Sequence, residues 1–480
     1  MGELGIALAG SYLPALRMDR GTIAKIWGRA SIGGERSVAN NDEDAITMAV
    51  EASRNCLRGR PKGDIDGLFF ATTSAPYLEK MNSALIATAI DLDRQIRTAD
   101  FAHSLRAATG ALSAAFDSVN GGSLKNVLVA AADSRIGYPR SDQEQLFGDG
   151  AAAVLVSREN VLATFEGSHS ICNEMMDVWR NPDDVYVRTW EPRFILGEGY
   201  NRHMREVVSG LLKKHGLDPK DVTKVILPAP DSRSHSGLVK RMGFDEKTQA
   251  QDPLLSQCGH CGAAHPLLML VAALEESSPG DVLLLASYAD GADAMLFKVT
   301  DAVKEPRNQR LLRAFLAETI TLPSYARFLS YKGLVDAVPG EPFRLFPSAT
   351  VSWRDRSTIL RCHGSRCRSC GSVTYPIQRV CYKCKSTDDF DEVSLSDLEG
   401  EVFTFTLDNL AGRSDDPVLV QTVAEMGDDR VRFYAMMTDC DPSQVKVGMR
   451  VALTFRRLYD GAGMHNYFWK LRPVARGGSE

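Results

Sequence analysis

The stretch that decides the fold is a run of small residues, Ser104-Leu-Arg-Ala-Ala-Thr-Gly-Ala-Leu-Ser-Ala-Ala-Phe116. It lies between two apolar, strand-like segments, 67–74 and 127–134, each of which ends in small polar residues. Alanine and glycine at this density are typical of a helix that packs closely between sheets. The first 300 residues alternate apolar strands with such helices, which indicates an α/β domain with mainly buried strands.

The same order of segments occurs a second time further along the chain. The apolar segments 225–232 and 282–289 flank Cys258-Gly-His-Cys-Gly-Ala-Ala-His-Pro-Leu-Leu-Met-Leu270, and corresponding strands of the two copies are 158 and 155 residues apart. A repeat of this length predicts two halves of one architecture, packed face to face. The start of each small-residue helix offers free N–H groups to an anion or a polarised carbonyl. Because the halves pair, the two helix starts together predict one central site. Taken singly, each helix can also be read as a tightly packed core helix without a functional role.

The composition excludes several classes of protein. The chain has 480 residues, of which 44% are hydrophobic and 24% charged, so a sizeable core and about three domains are expected. A net charge of −5 lacks the electrostatic footprint of a nucleic-acid binder. The sequence has no apolar run long enough to predict a membrane span, and its N-terminal segment lacks the basic residues that would predict a secretory signal. We therefore expect a cytoplasmic protein without nucleic-acid or membrane partners.

The C-terminal part changes character twice. A stretch rich in charge and proline, 301–356, predicts a linker with helices. Beyond the cysteines, four short alternating apolar segments separated by turns predict a small β-barrel. The predicted domains are the following: 1–165 and 166–300 as the two halves, 301–356 as linker, 357–392 as zinc ribbon, and 393–480 as an OB-type barrel.

Five of the ten cysteines fall within 362–384 and point to a metal. Four of them form two CxxC pairs with ten residues between: Cys367, Cys370, Cys381 and Cys384. Two such pairs suit a tetrahedral Zn²⁺ with no open coordination position, and this usage is typical of a reducing cytosol. The zinc is therefore predicted to be structural. Cys362 and His363 lie nearby in the sequence and are not counted as ligands.

Two further motifs resemble a known group of enzymes. Gly34-Glu-Arg-Ser-Val-Ala-Asn-Asn-Asp-Glu-Asp-Ala-Ile-Thr-Met-Ala-Val-Glu-Ala52 resembles the N-terminal segment of archaeal-type hydroxymethylglutaryl-CoA synthases, and Phe147-Gly-Asp-Gly-Ala-Ala-Ala153 is similar to a strand and loop of ketoacyl synthase III. Residues 1–300 thus resemble the thiolase superfamily, and 357–475 resemble the zinc-ribbon plus OB-fold module that works beside such enzymes. The resemblance implies a duplicated five-layer thiolase fold, an acyl-CoA substrate and a homodimer.

The resemblance fails at most catalytic positions. The family's nucleophilic cysteine corresponds to Leu105, its glutamate to Thr73 and its histidine to Pro228. Only His260, in Gly259-His-Cys-Gly262, keeps a reactive group where these enzymes have asparagine or histidine. Because leucine cannot carry an acyl group, the usual covalent chemistry at this position is excluded.

Three interpretations remain open. The chain can form or cleave a C–C bond directly on a CoA thioester, as some retro-aldolases of the superfamily do. It can use another nucleophile, for which Cys261, Cys258 and Ser104 are candidates. Finally, the thiolase-like part can be a silent, non-catalytic acyl-CoA-binding or assembly subunit. A catalytic cavity should have polar groups converging near Leu105, whereas a scaffold should fill that space with apolar side chains.

The favoured function is an acyl-CoA enzyme, an acyltransferase or C–C lyase, without a cysteine acyl-enzyme. His260 is the candidate oxyanion donor, and Tyr288, or Cys261 with a pKa lowered by His260, is the candidate proton carrier. Each of the three also fits a plain core residue.

The last prediction is a coenzyme A site. Trp27, Arg29 and Arg36 are candidates for holding the adenine and phosphates of CoA, although basic residues are common on surfaces.

Overall fold

The computed structural model describes residues 2–335, 347–411 and 416–474, and these form two compact units. The first unit comprises 1–39, 44–87 and 92–328, and the second comprises 40–43, 88–91 and 329–480. In the part of the chain that the structure describes, no helix combines the length and hydropathy needed to cross a bilayer.

The first unit is α/β. Its strands are β1 Gly5–Tyr12, β2 Leu16–Asp19, β3 Glu35–Val38, β4 Gly67–Thr72, β5 Arg97–Ala102, β6 Val127–Ser134, β7 Asp149–Ser157, β8 Ala163–Cys172, β9 Val178–Trp179, β10 Arg188–Thr189, β11 Lys224–Ile226, β12 Val282–Tyr288, β13 Gly291–Val299 and β14 Ile320–Thr321. Its helices are α1 Arg20–Trp27, α2 Ala45–Cys56, α3 Asn82–Ala89, α4 Ala107–Asn120, α5 Asp142–Leu146, α6 Pro192–Phe194, α7 Arg202–His215, α8 Ser232–Arg241, α9 His265–Glu276, α10 Leu312–Ala317 and α11 Tyr325–Tyr331, of which the last runs past the boundary of the unit.

The predicted duplication is confirmed by the strand order β11-β12-β13-β8-β1-β7-β6-β4-β5. In the first half β4 and β6 are parallel neighbours, and in the second half β11 and β12 are. The two half-sheets are joined where Gly5 and Ile6 of β1 pair with β8, so their strands form one continuous sheet rather than two separate ones. The predicted boundary at 165/166 falls inside β8, which pairs along its length with β13 and belongs to the second half.

Helices cover the two half-sheets in layers. Helix α2 packs on β1, β6 and β7, and α7 packs on β8, β12 and β13. Helix α9 contacts β1 and β7 of one half and β11 and β12 of the other, while α4 packs on β4 and β6 and also touches α9. Every residue of β7 is buried, as expected for a strand covered on both faces. The thiolase-type layering is therefore confirmed, with α4 and α9 in the middle.

Part of the predicted linker belongs to the first unit. Strand β14 pairs with β2, and Phe315 of α10 is buried there. The buried guanidinium of Arg17 donates a 3.0 Å hydrogen bond to the carbonyl of Phe315. Residues 301–328 are thus packed, and the stretch 336–346 lies outside the described residues.

The second unit contains two helices, a small sheet and a barrel. Its elements are α12 Ala349–Arg354, α13 Arg356–Ile359, β15 His363–Cys367, β16 Val373–Thr374, β17 Phe390–Ser394, β18 Glu399–Asp408, β19 Leu419–Met426, β20 Val431–Met437, β21 Arg450–Gly461 and β22 Met464–Pro473. Strands β15–β17 form the sheet of the ribbon, and the last five close into a barrel in the order β18-β19-β20-β22-β21. The predicted small barrel is confirmed, and Trp469 of β22 is completely buried.

Candidate active site

The start of α4 is held rigidly in the first unit. Arg106 forms a two-pronged ion pair with Asp293 of β13, with both N–O distances at 2.9 Å, and Thr109 donates a 2.7 Å hydrogen bond to the same carboxylate. The Asp293 side chain is 8% exposed, so these bonds are well shielded from water. Leu105 directly precedes this anchor. It therefore occupies a defined position where the resemblance places a nucleophile.

The start of α9 is built on a carboxylate from the first half. Asp133, at the end of β6, is fully buried and accepts a 2.6 Å hydrogen bond from the backbone N–H of Ala263. It also accepts bonds from the backbone and hydroxyl of Thr73, at 2.7 and 2.8 Å. Gly262 has a φ of +56°, and a Cβ there would lie 2.1 Å from an oxygen of Asp133. Only glycine allows this close approach between the halves.

His260 is a neutral hydrogen-bond donor. Its Nδ1 accepts a 3.1 Å hydrogen bond from the N–H of Gly262, and its ring stacks on His265 at 4.6 Å. Burial, together with the neighbouring His265 and Arg135, holds the pKa of His260 well below its usual range. A neutral imidazole that accepts at Nδ1 carries its proton on Nε2. The ring is partly exposed, and the exposure is to a cavity.

Two cavities, of about 710 and 930 Å³, meet at Leu105. The first is lined by His260, Tyr288 and Pro228, and the second by Thr73 and Ser104. Both share a set of lining residues: Leu105, Arg135, Asp177, Val178, Trp179 and Val187. Arg135 and Asp177 put charged groups on a wall that is otherwise mainly apolar, so the space near Leu105 is open and not filled by apolar side chains.

Tyr288 ends β12 and points its hydroxyl toward Asp177. That hydroxyl is buried without a hydrogen bond in the described structure, but the Asp177 side chain is close enough to act on it electrostatically. Burial and the nearby carboxylate raise the pKa of the Tyr288 phenol, so it stays protonated at neutral pH. Burial also raises the pKa of Asp177, which is 5% exposed. The pair therefore joins a protonated phenol with a carboxylate that takes up a proton more readily than usual.

The other candidate nucleophiles are less accessible. Cys258 and Cys261 are completely buried, and the described lining of either cavity includes neither of them. The hydrogen bond with Cys258, together with burial, raises the pKa of Cys261, opposite to the direction expected from the sequence. The Ser104 hydroxyl accepts a 3.2 Å bond from the N–H of Arg106 as a local cap, and no base is hydrogen-bonded to it among the described residues.

The three candidates for a coenzyme A site have other partners. Arg36 is 1% exposed, and its guanidinium donates to the carbonyl of Glu144 and lies over the Phe328 ring at 4.9 Å. Trp27 donates a 3.0 Å hydrogen bond to Glu144. Arg29 alone is exposed, and it pairs at 2.9 Å with Asp142, which lines the first cavity. Because Arg36 is buried, it cannot contact a CoA phosphate at the surface. Arg29 is exposed, and its partner Asp142 lines the first cavity.

Sequence reasoning did not select Arg135, Asp177 or Asp133. Asp133 and Arg135 lie at the end of the predicted strand 127–134, where the chain leaves the sheet. Ligands commonly bind at such strand ends, so this position could have marked both residues as site candidates. Asp177 lies in an irregular segment between β8 and β9, with no pattern to mark it.

The four predicted zinc ligands come together in the second unit. The sulfur atoms of Cys367, Cys370, Cys381 and Cys384 all lie within 4.8 Å of one another, and two of the Sγ–Sγ distances are 3.6 Å. Four thiolates about 2.3 Å from a shared Zn²⁺ have sulfur separations of this size. The group fits a structural zinc that uses all four coordination positions.

Family models match both units. The model for 3-oxoacyl-[acyl-carrier-protein] synthase III matches residues 99–172, and that for its C-terminal domain matches 212–298. The rubredoxin-like zinc ribbon domain of ChsH2 matches 364–391. The fold and the site thus define a thiolase-superfamily protein fused to a zinc ribbon.

Individual relatives narrow the assignment. A hydroxymethylglutaryl-CoA synthase of Pyrococcus furiosus is 32% identical over 317 residues, covering 64% of this chain and 90% of the relative. Another from Methanopyrus kandleri is 29% identical over 340 residues, covering 68% of this chain and 97% of that one. A solved HMG-CoA synthase complexed with CoA shares the fold, with a TM-score of 0.63, 17% identity and coverage of 71% and 92%. The chain belongs to the hydroxymethylglutaryl-CoA synthase family.

Proposed function

We propose that this protein makes or breaks a C–C bond on a CoA thioester without forming an acyl-enzyme at position 105. The observation that carries the proposal is the junction of the two cavities. Leu105 stands there in place of a nucleophile, while Arg135 of the first half and Asp177 of the second still line the open space. The homologous hydroxymethylglutaryl-CoA synthases are named for a CoA thioester, which supports a CoA thioester as the substrate of this protein. A non-catalytic acyl-CoA-binding subunit is not favoured, because a scaffold has no need of this open polar space.

His260 is the proposed oxyanion donor. Its Nε2–H is held ready by the bond that Nδ1 accepts from Gly262, so no reorientation is needed when charge develops. A neutral donor in a shielded cavity stabilises a thioester enolate without giving up its proton. The low pKa of His260 keeps it in this neutral form throughout the physiological range.

Asp177 and Tyr288 are the proposed proton carriers. In the cleavage direction, the Asp177 carboxylate takes the proton of a β-hydroxyl, and the electrons of the O–H bond form the new carbonyl. The electrons of the Cα–Cβ bond pass to the thioester as an enolate, which then takes a proton at Cα from the Tyr288 phenol. Asp177 returns its proton to the phenolate beside it, and the pair is restored. Synthesis is the reverse sequence.

The proposal also covers the oligomeric state, the type of barrel and the location of the protein. We propose a homodimer through β5, since this strand is the outer edge of the nine-stranded sheet and its residues are only partly buried. The closed five-stranded barrel supports an OB-type assignment. A cytoplasmic location is supported by the ten cysteines, because none of them is in a disulfide and four of them form the predicted zinc site. Light scattering that gives the 52.6 kDa monomer at micromolar concentration would contradict the dimer.

The test of the function is turnover without an adduct. Candidate β-hydroxyacyl-CoA and acyl-CoA thioesters are incubated with the full chain, products are separated by chromatography, and the intact protein mass is recorded during turnover. We expect C–C cleavage or condensation and an unchanged protein mass. An acyl adduct mapped to Ser104 or Cys261 would replace this mechanism with a covalent one. Binding without turnover of any thioester would favour the non-catalytic subunit.

A further inference from the structure

A π-helical turn, Ile195–Asn201, joins α6 to α7 along the wall of the first cavity. Three of its residues, Ile195, Leu196 and Tyr200, line that cavity together with Tyr288. Turns of this kind are rare in proteins and are frequently found at functional sites. None of these three residues has a role in the proposed reaction, although the turn lies beside the proposed proton carrier.

Gly199, within this turn, is buried against the hydroxyl of Tyr288. A Cβ at position 199 would lie 2.3 Å from the hydroxyl oxygen of Tyr288 and 3.2 Å from the ring carbon that carries it. Two atoms cannot pack at the shorter distance, so a larger residue has to displace the phenol. Gly197, two residues earlier, is exposed, and a Cβ there would meet no atom within 4 Å. The space for the hydroxyl is therefore a property of position 199 and not of the whole turn.

The ring of Tyr288 is enclosed by aromatic side chains from the same segment of chain. The Tyr200 ring meets it edge-on at 5.8 Å, and His203, in the first turn of α7, stacks on it at 6.0 Å. Both neighbours are themselves held. The Tyr200 hydroxyl donates a 3.1 Å hydrogen bond to the carbonyl of Pro228, and Nε2 of His203 lies 2.7 Å from the amide nitrogen of Asn173. The phenol thus has little room to move sideways.

Packing, and not hydrogen bonding, fixes the Tyr288 hydroxyl. Among the described residues this buried oxygen has no hydrogen-bond partner, and the Asp177 carboxylate acts on it electrostatically. Glycine is also less favourable than alanine inside a helical segment, so its presence at position 199 needs a reason. Room for the hydroxyl supplies that reason. Proton transfer depends on the separation of the two groups, and a displacement of about 1 Å can cost roughly 100-fold in rate.

We infer that Gly199 is a positioning residue for the proposed reaction: its lack of a side chain places the Tyr288 hydroxyl beside Asp177. Gly199 acts only through the phenol, because it offers no side chain to a substrate. The inference rests on the proposed function, since it requires Tyr288 to carry a proton.

The test is a double-mutant cycle on the full chain, made of Gly199→Ala, Tyr288→Phe and the two together. Gly197→Ala is the matched control in the same turn. With a thioester that the protein turns over, Gly199→Ala should lower kcat by roughly 10–100-fold and hardly change CoA affinity, whereas Gly197→Ala should leave both unchanged. In the Tyr288→Phe background the hydroxyl is gone, so adding Gly199→Ala should lower kcat by no more than about twofold.

Thermal denaturation of the same variants separates positioning from a general packing role. Removal of the hydroxyl leaves only the milder 3.2 Å approach to the ring carbon, so any fall in Tm caused by Gly199→Ala should shrink in the Tyr288→Phe background. If Gly199→Ala alone does not fold, the double variant should fold, and failure of both would overturn the inference.

The outcomes distinguish the inference from the proposed function. Wild-type kcat in Gly199→Ala, or an equal loss of kcat in both backgrounds, would overturn the inference and leave the proposed function intact. Full activity in Tyr288→Phe would end the role of Tyr288 as a proton carrier, and the inference with it. If no CoA thioester is turned over, the proposed function and the inference fail together.

Discussion

The two central helices start in the same architecture but differ in what they present to the cavity. At the start of α4, Leu105 is apolar, and the polar residues beside it, Arg106 and Thr109, are bonded to Asp293. At the start of α9, His260 keeps a free Nε2–H and Gly262 sits directly against Asp133. One helix start thus serves as an anchor, and the other carries the proposed oxyanion donor.

The sharpest test of this contrast is a pair of substitutions at the two helix starts. We expect His260→Ala to lower kcat by roughly 10²–10³ with little change in CoA affinity, because it removes a donor to developing negative charge. Leu105→Ala should alter the fit of the substrate but keep turnover. Steady-state kinetics and CoA binding measure both. Full activity in His260→Ala would contradict the proposed role of His260 as oxyanion donor.

The pH profile tests whether the base lies in the second half. Asp177 must be ionised to accept a proton, and its raised pKa means that kcat/KM should fall on acidification at a pH above the ordinary carboxyl range. Asp177→Asn should lower kcat by roughly 10² and abolish this acidic limb. A profile that is unchanged in Asp177→Asn would assign the base elsewhere. Tyr288→Phe is the companion variant, since it should lower the rate but leave the limb in place.

Two glycines allow the same comparison for stability. Gly262→Ala should cost roughly 2–3 kcal/mol, because its Cβ would lie 2.1 Å from Asp133 and its φ is positive. Gly110→Ala, within α4, is the matched control: the nearest atom to its Cβ is 3.9 Å away, and the change should be neutral or stabilising by up to about 1 kcal/mol. Chemical denaturation measures both variants. Equal effects would show that the second helix start is not under special constraint.

The smallest expected effect concerns the surface of the first half. Arg29 is exposed and pairs with Asp142 at the edge of the first cavity. If it contacts a CoA phosphate, Arg29→Ala should weaken CoA binding by no more than about fivefold, more at low salt than at high salt. Arg36→Ala is the contrasting variant, because its guanidinium is buried: it should destabilise the protein without a specific effect on CoA. A large loss of affinity in Arg29→Ala would make this residue a principal anchor.

Part of the candidate site could be predicted from the resemblance. His260 and Tyr288 were selected because the related enzymes have reactive groups at or beside these positions, and the structure brings both side chains to one cavity. The adjacent Cys261 was a weaker prediction, since neighbours in sequence point in different directions and its side chain is buried away from the cavity. Arg36 illustrates the same difficulty, because a charged residue on a short strand gives no sign that its guanidinium is completely buried.

By itself, the sequence determined the duplicated α/β architecture, the zinc ligands and the loss of the nucleophile at Leu105. These follow from local properties: apolar periodicity, the spacing of thiols and the identity of one side chain. Tertiary structure decided which charges remain without a partner. Arg135 and Arg106 are both arginines near helix and strand ends, yet Arg106 pairs with Asp293 from a strand 187 residues away, whereas the guanidinium of Arg135 lies over the Phe147 ring and lines a cavity. Pairing of buried charges depends on contacts between distant segments, and no local pattern records them.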